Sequence, residues 1–390
     1  MCGVAVPNAP RPRTVAQLSR RGFLKAASAT TVATGLATAL QPWGTPASAA
    51  TCAGTVPVDR RSIQLFTLNS QSMNDVDTTF ARLVEIGYRI SEEAGYGNAG
   101  NPEDFKAALD RAGYASSSTH KGIPHPFDEA SFRETIADAQ TIGISRIVEP
   151  APAFALPFLV GGVAAPGAPV GVGPPSAVWL EFAETLNAAG AVSREELGTS
   201  VGYHNHTELF LPVADGGVVT DTVGMDVLAE NTDPDLVHFE MDIYWVHAAA
   251  ADPVTYIEKY PGRVHQFHVK DMAEDGSITA PGTGIIDFNR VFAAASVHQD
   301  ILEYIIEQDN ASGNEGGDMT AAELGWELLE AAAWNFEADA CPTTADGGQA
   351  AGSGGESPGT ATDTPTTGGG IVGAGALTLA SLLALRNRAR

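Results

Sequence analysis

Between Ser62 and Glu337, short β-type runs alternate eight times with longer amphipathic ones, and nothing else in the chain constrains the fold as strongly. The β-type runs are SIQLFT (62–67), YRISEE (88–93), YASSSTH (114–120), RIVEP (146–150), SVGYHNH (200–206), HFEMDIY (238–244), VHQFHVKD (264–271) and ILEYIIEQD (301–309). Segments of helical period such as DVDTTFARLVEIG and NPEDFKAALDRAG lie between them, and several close on glycine, as helix C-termini prefer. Strand, crossover helix and next parallel strand make a right-handed unit, so eight such units predict an α/β fold of the (β/α)8 TIM barrel type. A doubly wound open sheet is the second choice, but no Gly-rich phosphate loop follows the first strand. The Gly/Pro-rich insertion at 161–175 reads as a loop over the barrel mouth.

In a barrel, strand residues point alternately inward and toward the helices. In the sixth run the apolar set Phe239, Met241 and Ile243 faces the helices, which turns Glu240 and Asp242 inward. In the seventh, Phe267 and Val269 face out and His268 and Lys270 face in; in the eighth, Glu303, Ile305 and Glu307 face in. In the fifth, Val201 and Tyr203 face out, while His204 and His206 face in, with Glu208 on their side if the strand continues. The fourth places Ile147 and Glu149 on one face, and the third ends at His120.

Six successive strands thus deliver His120, Glu149, His204 or His206, Asp242, His268 and Glu307 near their C-terminal ends, where such barrels keep their active sites. A single histidine or carboxylate has an ordinary structural explanation. Asp, His and Glu converging from three adjacent strands predict a divalent metal site, and oxygen and imidazole donors without thiolate suit Mn2+, Mg2+, Co2+ or Zn2+. His125, His238, His247, His265 and His298 are read as structural or surface residues.

With YHNH (203–206), MDIYWV (241–246), FHVKD (267–271), PGTGIIDF (281–288) and IEQD (306–309) in this order, the chain resembles the xylose isomerase-like barrel family, the sugar phosphate isomerase/epimerase group, over residues 60–337. The resemblance implies a metal held by Asp242, His268 and Glu307, with a strand-five histidine, His204 in closest register, where a glutamate is usual. It implies a metal-dependent isomerase or epimerase acting on a sugar or cyclitol. In that scheme Glu307 or His206 is the general base and Lys270 steadies the oxyanion. His120, Glu149 and Glu208 bind hydroxyls, and Trp245 and Phe66 form apolar walls. A lyase or hydrolase on keto-glycosides, or a dehydratase, would use the same α-proton abstraction. A non-catalytic carbohydrate-binding barrel is the alternative of a different class.

The two ends read differently from this body. SRRGFLKAA (19–27) carries twin arginines, and an uncharged stretch from Ala26 to Ala50 ends in the small residues of PASAA, so residues 1–50 predict a twin-arginine export signal. The barrel is expected over 58–340. A Gly/Thr/Ser/Pro-rich linker follows over 342–370, and an apolar segment with three terminal arginines over 371–390 predicts a membrane anchor, retained or removed. Five basic residues fall in the first 50 positions and three in the last five, leaving 14 bases against 47 acids in everything between, linker included, a net of −33. High acid with scarce lysine resembles proteins of salt-loving prokaryotes, and such a surface makes nucleic acid a poor partner. A small carbohydrate is the expected partner, neutral rather than phosphorylated, and a homo-oligomer is open. Cys52 and Cys341 bracket the body, as one disulfide or as two free thiols.

Overall fold

The computed structural model describes residues 52–68, 71–155 and 171–336. Each β-type run contains a strand: β1 (Arg61–Ile63), β2 (Ile90–Glu93), β3 (Ala115–His120), β4 (Arg146–Glu149), β5 (Val201–His204), β6 (Val237–Asp242), β7 (Val264–Val269) and β8 (Glu303–Ile306). From β2 to β8 each strand pairs in parallel with the next in sequence, and β8 pairs with β1. A parallel bridge between Gln64 and Glu92 joins the end of β1 to β2 and closes the barrel.

Helices α1 (Val76–Ile86), α2 (Pro102–Ala112), α3 (Glu129–Ile142), α4 (Ser176–Glu196), α5 (Gly224–Asn231), α6 (Pro253–Lys259), α7 (Phe288–His298) and α8 (Met319–Ala331) follow the strands in turn. The first three begin where Asp75, Asn101 and Asp128 accept a hydrogen bond from a backbone N–H of the first turn. The outward strand residues Tyr203, Phe239 and Phe267 are buried against the helices with Phe80, Phe105, Phe132, Trp179 and Phe182 in one apolar layer. That layer carries the hydrophobic stabilisation, about 25 cal/mol for each Å2 of apolar surface removed from water.

The interior of the barrel is polar. Glu92 accepts from Gln64 Nε2 at 2.8 Å and Ser118 Oγ at 2.7 Å. Below them Glu303 accepts from Ser117 Oγ at 2.6 Å and pairs with Arg146 at 2.8 Å. A buried carboxylate persists only when such partners satisfy it. These contacts tie β1, β2, β3, β4 and β8 together beneath the mouth.

Two features depart from the expected pattern. An antiparallel hairpin, Pro212–Asp215 with Val218–Val223, follows β5, turning at Gly216 and Gly217 with φ of 59° and 81°. That conformation suits the two-residue turn of a hairpin and favours glycine at both positions. The run at 238–244 is a strand only to Asp242, where a short helix, Ile243–Ala248, begins.

Cys52–Thr55 pairs antiparallel with Ala333–Phe336, Cys52 opposite Phe336, which brings the two ends of the described body together. Cys341 lies outside the described residues, as do the readings at 1–50, 342–370 and 371–390 and most of the insertion at 161–175. No helix among the described residues is long and apolar enough to cross a membrane.

Candidate metal centre and active site

The YHNH segment sends its four side chains to different places because β5 ends inside it. Tyr203 faces the helices against Phe182. His204, the last strand residue, points into the barrel. Asn205 continues the sheet with its side chain: its Oδ1 accepts from Asp242 N at 2.9 Å and its Nδ2 donates to Asp242 O at 3.2 Å. His206 lies beyond the strand and lines the cavity at the mouth. Asp242 spends one carboxylate oxygen capping the helix that follows it, accepting from Trp245 N at 3.1 Å. Its other oxygen is buried without a hydrogen bond, 3.1 Å from Lys270 Nζ and 3.8 Å from His204 Nε2.

One donor atom each from His204, Asp242, His268 and Glu307 lies within 4.8 Å of the others, and all four residues are buried. His268 Nδ1 meets Glu307 Oε2 at 2.8 Å. On the far sides of the two rings, His204 Nδ1 meets Glu240 Oε1 at 3.1 Å, and His268 Nε2 meets Glu92 Oε1 at 2.8 Å and Glu240 Oε1 at 2.9 Å. Imidazoles that bind metal through one nitrogen commonly donate the other N–H to a carboxylate. The buried Asp242 oxygen that faces Lys270 and His204 and the mixed oxygen and nitrogen donors therefore fit a divalent ion.

The titration of these groups follows from burial opposed by neighbours. Burial and the cationic groups around it push His204 down. For His268 burial also favours the neutral ring, yet Glu240 and Glu307 outweigh it and raise the imidazole well above its ordinary range. Burial raises the Asp242 carboxyl to about 6 against the pull of Lys270. Burial acts the same way on Glu307, but Lys270 and His268 hold that carboxyl below the usual carboxylate range. A cation binding on the Nδ1 side of His268 displaces a proton there, so ion affinity is tied to pH.

Above this cluster opens a cavity of about 590 Å3, lined by Phe66, His120, His206, Trp245, Lys270 and Asp309, among others. Lys270 Nζ is held by Asp242 at 3.1 Å, Glu307 at 2.8 Å and Asp309 at 3.0 Å. It lies 5.3 Å from the centre of the Trp245 ring, which also packs on His206 at 5.2 Å. Burial and Lys270 push His206 down to about 3, so its ring is neutral near neutral pH, and its Nδ1 has no partner. Trp245 Nε1 is likewise buried without one. His120 meets Glu240 Oε1 at 2.7 Å through Nε2; burial lowers its pKa, but Glu92 and Glu240 push it up to about 10.

Two expected substrate-binding residues are corrected. Glu149 pairs in register with the outward-facing Tyr203, so it is Val148 that turns inward. The Glu149 carboxylate accepts from Ala151 N at 2.8 Å and from Ile123 N, bracing the loops after β3 and β4. Glu208 does not share the face of His206, because the strand has ended and Thr207–Phe210 form a 3-10 turn. Its Oε1 accepts from Tyr203 Oη at 3.1 Å on the helix side of the sheet. Conversely, Glu92 and Asp309 reach the site without having been anticipated, and Glu240 is there without an expected role. Alternation marked Glu240 as inward; for Glu92, paired in register with Ser118 on the inward face, the signal was the EE that ends YRISEE. His125 contacts Thr185 and His238 contacts Ser200 and Gln266, away from the cavity.

A family model described as xylose isomerase-like TIM barrel matches residues 80–326. Inosose dehydratase of Clostridium tetani is 31% identical over 156 residues, 35% of this chain and 49% of that protein. Inosose dehydratase of Geobacillus kaustophilus is 31% identical over 154 residues, 34% and 47% of the two chains. The chain therefore spans about half the length of the curated relatives it matches. A sugar phosphate isomerase/epimerase from Parabacteroides distasonis shares the fold, with a TM-score of 0.56 at 23% identity over 71% of this chain and 96% of that one.

Proposed function

Because the chain belongs to the xylose isomerase-like TIM barrel family, we propose that it catalyses metal-dependent proton transfer beside the carbonyl of a sugar or cyclitol, an isomerisation or epimerisation. The observation that carries this reading is the four-residue cluster of His204, Asp242, His268 and Glu307 beneath a cavity lined by the neutral imidazole of His206 and the ammonium of Lys270. His204, Asp242, His268 and Glu307 would hold a Mn2+, Mg2+, Co2+ or Zn2+ ion, which would supply Lewis acidity toward the substrate carbonyl. His206, whose ring lines the cavity, accepts the proton from one side. Lys270, joined to Glu307 at 2.8 Å, holds and returns a proton and steadies the developing oxyanion from the β7–β8 side. Trp245 and Phe66 offer apolar faces to the ring of the substrate, and His120 binds a hydroxyl.

Lys270 is already matched by three carboxylates and no arginine among the described residues lines the cavity, which supports a neutral substrate over a phosphorylated one. We read residues 1–50 as an export signal and 371–390 as an anchor, so that this substrate is met outside the cytoplasm. Dehydration is the second reading, favoured by the relatives that are inosose dehydratases. It begins with the same proton abstraction and ends with loss of water.

The test is proton NMR of a panel of neutral keto-sugars and keto-cyclitols in D2O with the enzyme and added Mn2+ or Co2+. Deuterium should enter the α position, and the product spectrum separates an isomer from a dehydrated ketone. Glu307→Gln and His206→Ala should each lower exchange at least 100-fold, the usual range for loss of an acid–base group. Retained ligand binding without any exchange in the wild type would favour a carbohydrate-binding protein.

A further inference from the structure

The carboxylate of Glu240 has no place in the proton transfer above, yet one of its oxygens is shared by three histidines. Three imidazoles from three strands converge on its Oε1: His120 Nε2 at 2.7 Å, His268 Nε2 at 2.9 Å and His204 Nδ1 at 3.1 Å. The residue is fully buried, and its second oxygen has no hydrogen-bond partner. A carboxylate oxygen within hydrogen-bond distance of three ring nitrogens serves as their common acceptor, so those nitrogens are the N–H donors.

We infer that Glu240 is a positioning residue that selects the tautomer of His204, placing the proton on Nδ1 and leaving the Nε2 lone pair to face Asp242. This rests on the reading of His204, Asp242, His268 and Glu307 as the metal site. Glu92 duplicates the restraint on two of the rings, meeting His120 Nε2 at 3.0 Å and His268 Nε2 at 2.8 Å. The carboxylate contacts of His204 come instead from strand β6, with Glu240 at Nδ1 and Asp242 at Nε2. Its orientation therefore depends on Glu240 in a way that the other two rings do not share.

His120, His204, Glu240 and His268 also bring donor atoms within 4.8 Å of one another, as a second metal site would. Two ions would then share both His204 and His268 through opposite nitrogens, which requires each ring to become an imidazolate. A hydrogen-bond acceptor at Glu240 needs no such deprotonation.

The experiment reads ring nitrogens directly, by long-range 1H–15N NMR on the full chain carrying 15N-histidine. Metal-free wild type should show His204, assigned with a His204→Gln variant, protonated on Nδ1. Glu240→Met fills the space without an acceptor and should lose that tautomer and bind Co2+ 10- to 100-fold more weakly by calorimetry. Glu240→Gln, which restores an acceptor oxygen, should recover most of the affinity, as a purely space-filling role would not. Glu92→Gln should leave the His204 tautomer in place. A His204 protonated on Nε2 in metal-free wild type overturns the inference, and this measurement stands even if Glu240→Met does not fold. Equal Co2+ affinity in Glu240→Met also overturns it, as does a stoichiometry of two ions per chain. If wild type and Asp242→Asn bind Co2+ equally, the metal assignment fails, while the tautomer result still judges Glu240 separately.

Discussion

At the scale of single residues, the same side-chain chemistry is put to different uses by small differences in backbone position. Glu208 and Glu307 are both buried glutamates beyond a strand, but Glu307 has Lys270 and His268 beside it while Glu208 has Tyr203 Oη. Burial therefore raises the Glu208 carboxyl to about 7. The native chain keeps a proton on Glu208 that the unfolded chain releases at ordinary glutamate pH. Stability contributed by that proton is complete below the unfolded pKa and is lost as pH rises through about 7. The span corresponds to roughly 3 kcal/mol at most. Glu208→Gln should therefore gain on wild type in urea midpoint between pH 5 and pH 8 and be the more stable at the upper end. Parallel pH profiles for the two proteins would show that Glu208 is ionised throughout.

At the scale of elements, helix α4 approaches the turn before β6 so closely that position 190 has no room for a side chain. A Cβ on Gly190 would lie 2.3 Å from the backbone oxygen of Leu236. Alanine improves the intrinsic helix preference by about 1 kcal/mol. Relieving a clash with backbone requires the helix to move, which costs roughly 1–3 kcal/mol. Gly190→Ala should therefore destabilise despite being a better helix former, seen as a lower thermal midpoint. Loop and strand are coupled in the same way at FHVKD. Asp271 accepts from Gly282 N at 3.0 Å and Gly284 N at 2.8 Å, which fastens the PGTG loop to the end of β7 beside Lys270.

At the scale of the molecule, net charge is the dominant fact. The stretch between the two basic ends, linker included, has 47 acids and 14 bases and repels itself, and screening shortens that repulsion to about 3 Å at 1 M salt. The thermal midpoint should rise as KCl increases from about 0.1 M to 2 M, more than osmolality-matched sucrose raises it; equal effects would assign the rise to excluded cosolvent. A bound ion adds to this by mass action, about 2.7 kcal/mol at a hundredfold excess over its dissociation constant. Ion affinity should strengthen as pH rises, because binding displaces the proton on His268 Nδ1 that faces Glu307. Calorimetry in buffers of different ionisation enthalpy reads the proton release.

The sequence by itself determined the barrel, since period-two and helical apolar patterns are local properties of the backbone and their eightfold alternation leaves few topologies. It also determined which face of β6, β7 and β8 carries Asp242, His268 and Glu307, because apolar outward residues there make the inward set unambiguous. Only the tertiary structure decided where β5 stops. That stop, one residue before the Asn205 clamp, leaves His204 on the strand and His206 beyond it at the mouth, and sends Glu208 to the other side. The pairing that turns Glu149 outward and the convergence of Glu92 and Glu240 beneath the histidines are likewise tertiary. They depend on register between strands distant in sequence, which no local pattern encodes.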